Sequence, residues 1–299
     1  MKILETCDLC GEKEFKFLFK NKDTLHQIDE EYDINQCKNC GLIFINPQPE
    51  GIELANHYPS DYYTFSAKTS KFIDLLYNIY YFENNPLKKV ALLSLKPLVR
   101  TILVVKGGRC LDVGCGSGEF LRHLKRAGMD AYGVEPGAFD EKFVKENNLN
   151  VVRGTLIDAK FPSNYFDVIT INHVFEHLSN PSETMEELSR ILKPNGKLII
   201  GVPQYKTPLF KVLGKKWIQL DTPRHLFVPS ADNMKQYAQK AKFSVERVRY
   251  NMVPGSLFGF SLNKKSLTRK IAFVAALPFV NILNLLKMGD QIEIILIKK

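Results

Sequence analysis

The stretch Arg109–Phe120, RCLDVGCGSGEF, runs from strand-like apolar residues into glycines at every second position, Gly114, Gly116 and Gly118, and then into a helix-forming sequence. A strand that ends in such a turn brings bare backbone against a ligand. The dinucleotide pattern G-x-G-x-x-G would need glycine at position 119, where Glu119 stands, and a phosphate-binding loop would need a Lys-Ser/Thr pair that is absent. Asp112, two residues before the first glycine, would repel pyrophosphate and attract a cationic group.

Downstream, strand-like and helix-like segments alternate: AYGVEP, AFDEKFVKENN, NVVRG, FDVITINHV, SETMEELSRIL and GKLIIGVP. This alternation predicts an α/β fold with right-handed crossovers and a mostly parallel sheet. A helix near SADNMKQYAQKA, a strand FSVERVRYN, a broken apolar segment and a final strand QIEIILIKK complete the chain. Glu135 closes the strand AYGVEP, where a carboxylate can accept hydrogen bonds from two ribose hydroxyls. A ligand with a ribose, a cationic amino-acid arm and no phosphate is S-adenosylmethionine.

Upstream, Cys7, Cys10, Cys37 and Cys40 form two C-x2-C-G knuckles separated by 26 residues. Two intervening residues let both thiolates of a pair face one ion, and four soft anionic ligands suit closed, tetrahedral, structural zinc; iron shares this donor set. Residues 1–46 are expected to form a small zinc ribbon that draws much of its folding energy from the metal. Residues 47–106, rich in tyrosine, read as a helical connector, and 107–299 as the main domain, with an apolar helical insertion near 265–288.

The segments LDVGCGSGEFLRHLKRAGMDAYGVEP and FDVITINHVFEHLSNPSETMEELSRILKPNGKLIIGVP resemble the class I S-adenosylmethionine-dependent methyltransferases, specifically the small-molecule branch that includes ubiquinone-type and sugar enzymes. The resemblance covers about 110–250, and a zinc ribbon joined to such a domain is similar to enzymes of polysaccharide and secondary-metabolite pathways. It implies a Rossmann-like seven-stranded sheet ordered 3-2-1-4-5-7-6 with the last strand antiparallel. Carried over by position, Asp112, Gly114, Gly116 and Gly118 would line the methionine arm, and Glu135 would hold the ribose. Thr155 and Leu156 would flank the adenine, with the acidic residue usual there displaced to Asp158. Asn172 and His173 would end the fourth strand under the methionine.

Methyl transfer needs an aligned acceptor and, for a hydroxyl, a base; imidazole suits that task. His225, in DTPRH, is the first choice, Arg224 beside it a candidate anion clamp, and His173 the second base candidate. A loop-stabilising network of Asp221, Arg224 and His225 is the competing reading, and Glu176 with His177 reads as a structural pair. Tyr58, Tyr62 and Tyr63 would form either a lid or a buried cluster. No cysteine stands where a covalent carbon methylation of RNA bases would need one, and NHVF replaces the Asn-Pro-Pro-aromatic signature of amino-nitrogen methylation.

The expected acceptor is a small molecule or a nucleotide- or lipid-linked sugar. The alternatives are a zinc-ribbon ribosomal RNA methyltransferase and a catalytically silent adaptor. The formal charge of +9, about +7 with four thiolates and a divalent ion, favours anionic partners without choosing among them. The ribbon is not especially basic and lacks interleaved basic and aromatic residues, which disfavours nucleic acid. No basic, apolar leader opens the chain, so a cytoplasmic protein is expected; the segment Ile271–Met288, preceded by NKKSLTRK, offers either core packing or peripheral contact with the inner face of a membrane. Oligomeric state is not readable.

Overall fold

The computed structural model describes residues 1–23, 28–58, 70–258 and 267–299. At the N-terminus β1 (Phe15–Asp23), β2 (Ile28–Cys37) and β3 (Ile43–Ile45) pair antiparallel in sequence order. The connector holds α1 (Ile52–Ala55), α2 (Lys71–Tyr77), which continues through a wider turn at Asn78–Phe82, and α3 (Pro86–Ala91), followed by a tight helical segment at Leu93–Leu98.

From Arg109 the expected alternation appears: β4 (Arg109–Val113), α4 (Glu119–Arg126), β5 (Asp130–Glu135), α5 (Glu141–Glu146), β6 (Asn150–Arg153), β7 (Phe166–Asn172), α6 (Pro181–Ile191) and β8 (Leu192–Pro203). The chain ends with α7 (Pro208–Leu213), β9 (Phe227–Val228), α8 (Ala231–Lys240), β10 (Phe243–Asn251), α9 (Pro254–Phe258), α10 (Leu267–Leu285) and β11 (Gln291–Lys298). Seven strands form one sheet in the order β6-β5-β4-β7-β8-β11-β10, which is the implied 3-2-1-4-5-7-6. Strands β4 to β8 pair parallel, and β11 runs antiparallel to both neighbours.

Burial on both faces explains the near-continuous apolar sequences of the central strands. Leu111, Val113, Ile169, Ile171 and Ile200 face α6 and α8, whose Leu188, Met234 and Tyr237 are buried against them. Cys110, Val168 and Ile199 face the other way, against Leu76 and Tyr77 of α2 and Leu121 and Leu124 of α4. Each such large side chain contributes roughly 1.5–3 kcal/mol by leaving water. Helix α8 starts on a reciprocal cap, in which Ser230 accepts the Asn233 N–H while Asn233 Oδ1 accepts the Ser230 N–H.

The sheet of the expected ribbon, residues 1–46, is extended by a strand from outside those residues. Strand β9, from the far side of the chain, pairs with β3 and completes a four-stranded sheet. Both faces of β3 are buried: Phe44 packs into the main core beside Phe227, while Ile43 and Ile45 pack with Trp217 and Leu220. Polar contacts lock the same junction, with Tyr237 Oη donating to Asp8 Oδ2 at 2.8 Å and Asn233 Nδ2 to the Cys40 carbonyl at 2.8 Å. The module is too small to bury its own apolar residues, so it buries them in the neighbouring core.

Candidate functional site

The predicted site residues gather along the C-terminal ends of the parallel strands, where open α/β sheets bind ligands. Gly114 follows β4 with φ +67°, and a Cβ there would lie 2.3 Å from Val174 Cγ2, so only glycine fits between the turn and the segment after β7. Glu135, at the end of β5, accepts the Gly116 N–H at 2.9 Å and the Gly137 N–H at 2.8 Å. Burial raises its pKa, against these two N–H donors. One oxygen is used per donor, which leaves lone pairs for two hydroxyls.

Asp112 does not line an open crevice as expected. It is fully buried; its carboxylate is held by both terminal nitrogens of Arg100 and accepts the Thr170 hydroxyl at 2.6 Å. Residue 112 alternates with Leu111 and Val113 and so points to the α4 face of the sheet, where Arg100 lies over the Phe120 ring at 3.6 Å. The guanidinium, one quarter exposed, therefore stands between Asp112 and solvent. Arg100 was not readable from KPLVRT, because nothing local ties it to position 112.

Leu156 is buried, whereas Thr155 is exposed and turned inward on the chain: its N–H and hydroxyl both bind Asp158 Oδ2, at 3.1 and 2.6 Å. The acidic residue displaced in sequence is thereby returned to the end of β6. Asn172 ends β7 with Oδ1 over Gly201 of β8, 2.3 Å from where a Cβ would stand. Gly118 starts α4 with φ +86°.

His173 follows with φ +53°, an uncommon backbone conformation for a residue with a side chain and one that gathers at functional sites. Its imidazole is 37% exposed, with Nδ1 3.2 Å from Glu176 Oε1. Glu176 is fully buried, and its second oxygen has no hydrogen-bond partner among the described residues. Burial would raise this carboxyl, but the His173 hydrogen bond and the His225, His173 and His177 imidazoles outweigh it and hold the pKa at about 2. An anionic Glu176 accepts the hydrogen bond of His173 Nδ1–H, and in the neutral ring this leaves the lone pair on Nε2.

Two expectations are corrected here. Arg224 is no anion clamp: it is fully buried, and all its donors are spent, on Asp23, Asp221 and the His57 carbonyl at distances from 2.5 to 3.3 Å. His225 is not the exposed imidazole expected of the first-choice base: its side chain is 8% exposed, Nδ1 bonds the Gln219 carbonyl at 2.8 Å, and Nε2 lies 3.8 Å from both Glu176 Oε1 and Asp221 Oδ2. The loop network thus has the support of the geometry, and sequence order alone had hidden that Glu176 and His225 lie together. Tyr58 reaches His177 Nδ1 at 3.0 Å; Tyr62 and Tyr63 lie outside the described residues.

The four cysteines converge, with Cys7 and Cys40 sulfurs 3.6 Å apart, Cys10 and Cys37 sulfurs 3.5 Å apart, and all four within 4.8 Å of one another. None is in a disulfide. A tetrahedral ion with bonds of about 2.3 Å needs sulfurs separated by just under about 4 Å, which this cluster provides.

Residues 52–248 match a family model described as a methyltransferase domain. A demethylmenaquinone methyltransferase of Staphylococcus haemolyticus is 27% identical over 216 residues, covering 62% of this chain and 86% of that protein. Its Staphylococcus aureus counterpart is 26% identical over 210 residues, covering 60% and 83%. Among solved structures, an S-adenosylmethionine-dependent methyltransferase from Archaeoglobus fulgidus is 22% identical, with a TM-score of 0.46, over 75% of this chain and 99% of that one.

Proposed function

The chain belongs to the methyltransferase-domain family, as a class I S-adenosylmethionine-dependent enzyme, and we propose that it methylates a small-molecule acceptor with His173 as the base and Glu176 as its positioning residue. The observation that carries this is the half-exposed His173 imidazole, held by a buried carboxylate at the end of β7 beside the glycine turn. The cofactor, when bound, supplies a methyl group on a sulfonium that is already a good leaving group.

The residues present fit that cofactor. Glu135 would hold the ribose, Gly114, Gly116 and Gly118 would allow close approach, and Leu156 with the Thr155–Asp158 turn would flank the adenine. Arg100, one quarter exposed over the buried Asp112, would meet the carboxylate of the amino-acid arm. His173 Nε2 takes the proton that an acceptor hydroxyl or acidic C–H must lose, and Glu176 stabilises the imidazolium that results. Four thiolates fit structural zinc, with no ligand position left open.

The acceptor class proposed is a nucleotide- or lipid-linked sugar, or a ring of the quinone type that the names of the curated relatives indicate. The ribosomal RNA reading loses support because the ribbon's third strand is buried on both faces and so is no free arm. The test is transfer of label from methyl-labelled S-adenosylmethionine into fractionated lipids, nucleotide sugars and RNA. His173→Ala should lower turnover by about 10²–10⁴-fold with cofactor affinity unchanged, and Glu176→Gln should move the acid limb of the pH profile. Full turnover in His173→Ala, or an equally large loss in His225→Ala alone, would sink the assignment.

A further inference from the structure

From Ile271 to Leu285 helix α10 carries only two polar residues, Asn281 and Asn284, a composition close to that of a helix enclosed by protein. Among the described residues, only one side of it is enclosed. Phe273, Leu277 and Val280 are buried, and the helix packs on α9, β10 and the segment Leu93–Leu98. Ile271, Val274, Phe279, Ile282, Leu285 and Leu286 are each more than half exposed. The spacing of 271, 274, 278, 282 and 285 makes their side one continuous stripe, with Pro278 within it. Leu93, 64% exposed, adds to the surface from the neighbouring segment.

The sequence flanking this stripe carries one sign of charge, although Arg249 on β10 is paired with Glu293. Between Glu246 and Asp290 the sequence holds no acidic residue but seven basic ones, including Arg269 and Lys270 in the helix's first turn and Lys287 just beyond its end. Asp290 itself is fully buried, and Glu246 is paired with Lys197. An apolar side with cations at both ends complements a bilayer whose surface is anionic, the apolar residues entering the acyl boundary while lysine and arginine meet phosphate. Among the described residues no helix is long and apolar enough to cross a membrane.

We propose that α10 seats the protein on an anionic phospholipid surface, lying in the interface. The helix is also fastened to the crevice. Its C-terminal end leads to Gly289 and Asp290, whose carbonyls accept from Gln204 at 2.8 and 2.9 Å, directly after β8, and Asp290 Oδ2 accepts the Trp217 indole N–H at 3.2 Å. A surface-bound α10 thus holds the C-terminal edge of the sheet near the headgroups. The docking is independent of which acceptor is methylated.

Flotation with phosphatidylcholine vesicles containing about one third phosphatidylglycerol tests it, without any activity readout. The full chain should float at least about tenfold more with these vesicles than with pure phosphatidylcholine, and high salt should weaken the difference. Val274→Glu with Ile282→Glu, both exposed, should abolish flotation while circular dichroism and S-adenosylmethionine binding stay unchanged. No flotation with anionic vesicles, or equal flotation of the double variant, overturns the proposal. So does a dimer in solution that the double variant dissociates when vesicles are not bound, since the stripe would then cover a second copy.

Discussion

His177 is packed among the Tyr58 hydroxyl, the Arg224 carbonyl and the His225 ring, and burial first, then the His225 imidazole, pushes its pKa down to about 4. His123, stacked on Tyr77 at 3.9 Å, is likewise lowered to about 4 by burial and by Arg122. A histidine with a depressed folded pKa stabilises the fold above its unfolded value of about 6.5 and loses that contribution as pH falls through 4. Asp290 acts oppositely: burial raises it to about 6, so acidification relieves a cost over the range from 6 down to 3.8. Burial raises Glu135 and Glu119 in the same sense as Asp290, whereas Glu176, held at about 2, adds to the loss, and the two histidines tip the balance to a net loss. The urea midpoint is therefore expected to fall between about pH 6.5 and 4, and His123→Phe, which keeps the stack and removes one proton site, should flatten the slope. A midpoint that is constant or rises on acidification would contradict these environments.

At the scale of elements, the loop before β9 is held by Arg224, whose partner Asp23 at the end of β1 is distant in sequence. Both are fully buried, so Arg224→Met strands Asp23 and Asp221 without their guanidinium and should cost about 3–5 kcal/mol in urea unfolding. Adding Asp23→Asn should recover part of that loss; no recovery would assign it to packing instead. The same elements show what local sequence carries. The mostly parallel sheet was legible from the alternation of strands and helices, its order only from the family resemblance, and the glycine turn and Glu135 because they lie at strand ends. Strand β2 was not, since IDEEYDINQC is dense in charge and buries only Tyr32 and Ile34 in one cluster and Cys37 in another. Neither was β9, two residues long and paired with the N-terminal unit. The roles of His173, His225 and Arg224 depend on exposure, which long-range packing decides, so their residue types were visible and their ranking was not.

For the whole molecule, the shared core makes the metal a global matter. Cys7, Leu9, Cys37 and Leu42 are buried in the same cluster as Met234, Tyr237 and the strands of the main sheet. If the four thiolates hold zinc, its removal leaves like charges together or protonates them, and the knuckles lose the geometry that presents Leu9 and Leu42 to α8. Asn233, which closes the α8 cap, also binds the Cys40 carbonyl, so the disturbance reaches the helix start directly. Chelation should therefore lower the melting temperature of the entire chain in one calorimetric transition and release about one zinc per chain. Two separated transitions, with the larger one unmoved by the chelator, would instead show a ribbon that folds apart from the sheet it leans on.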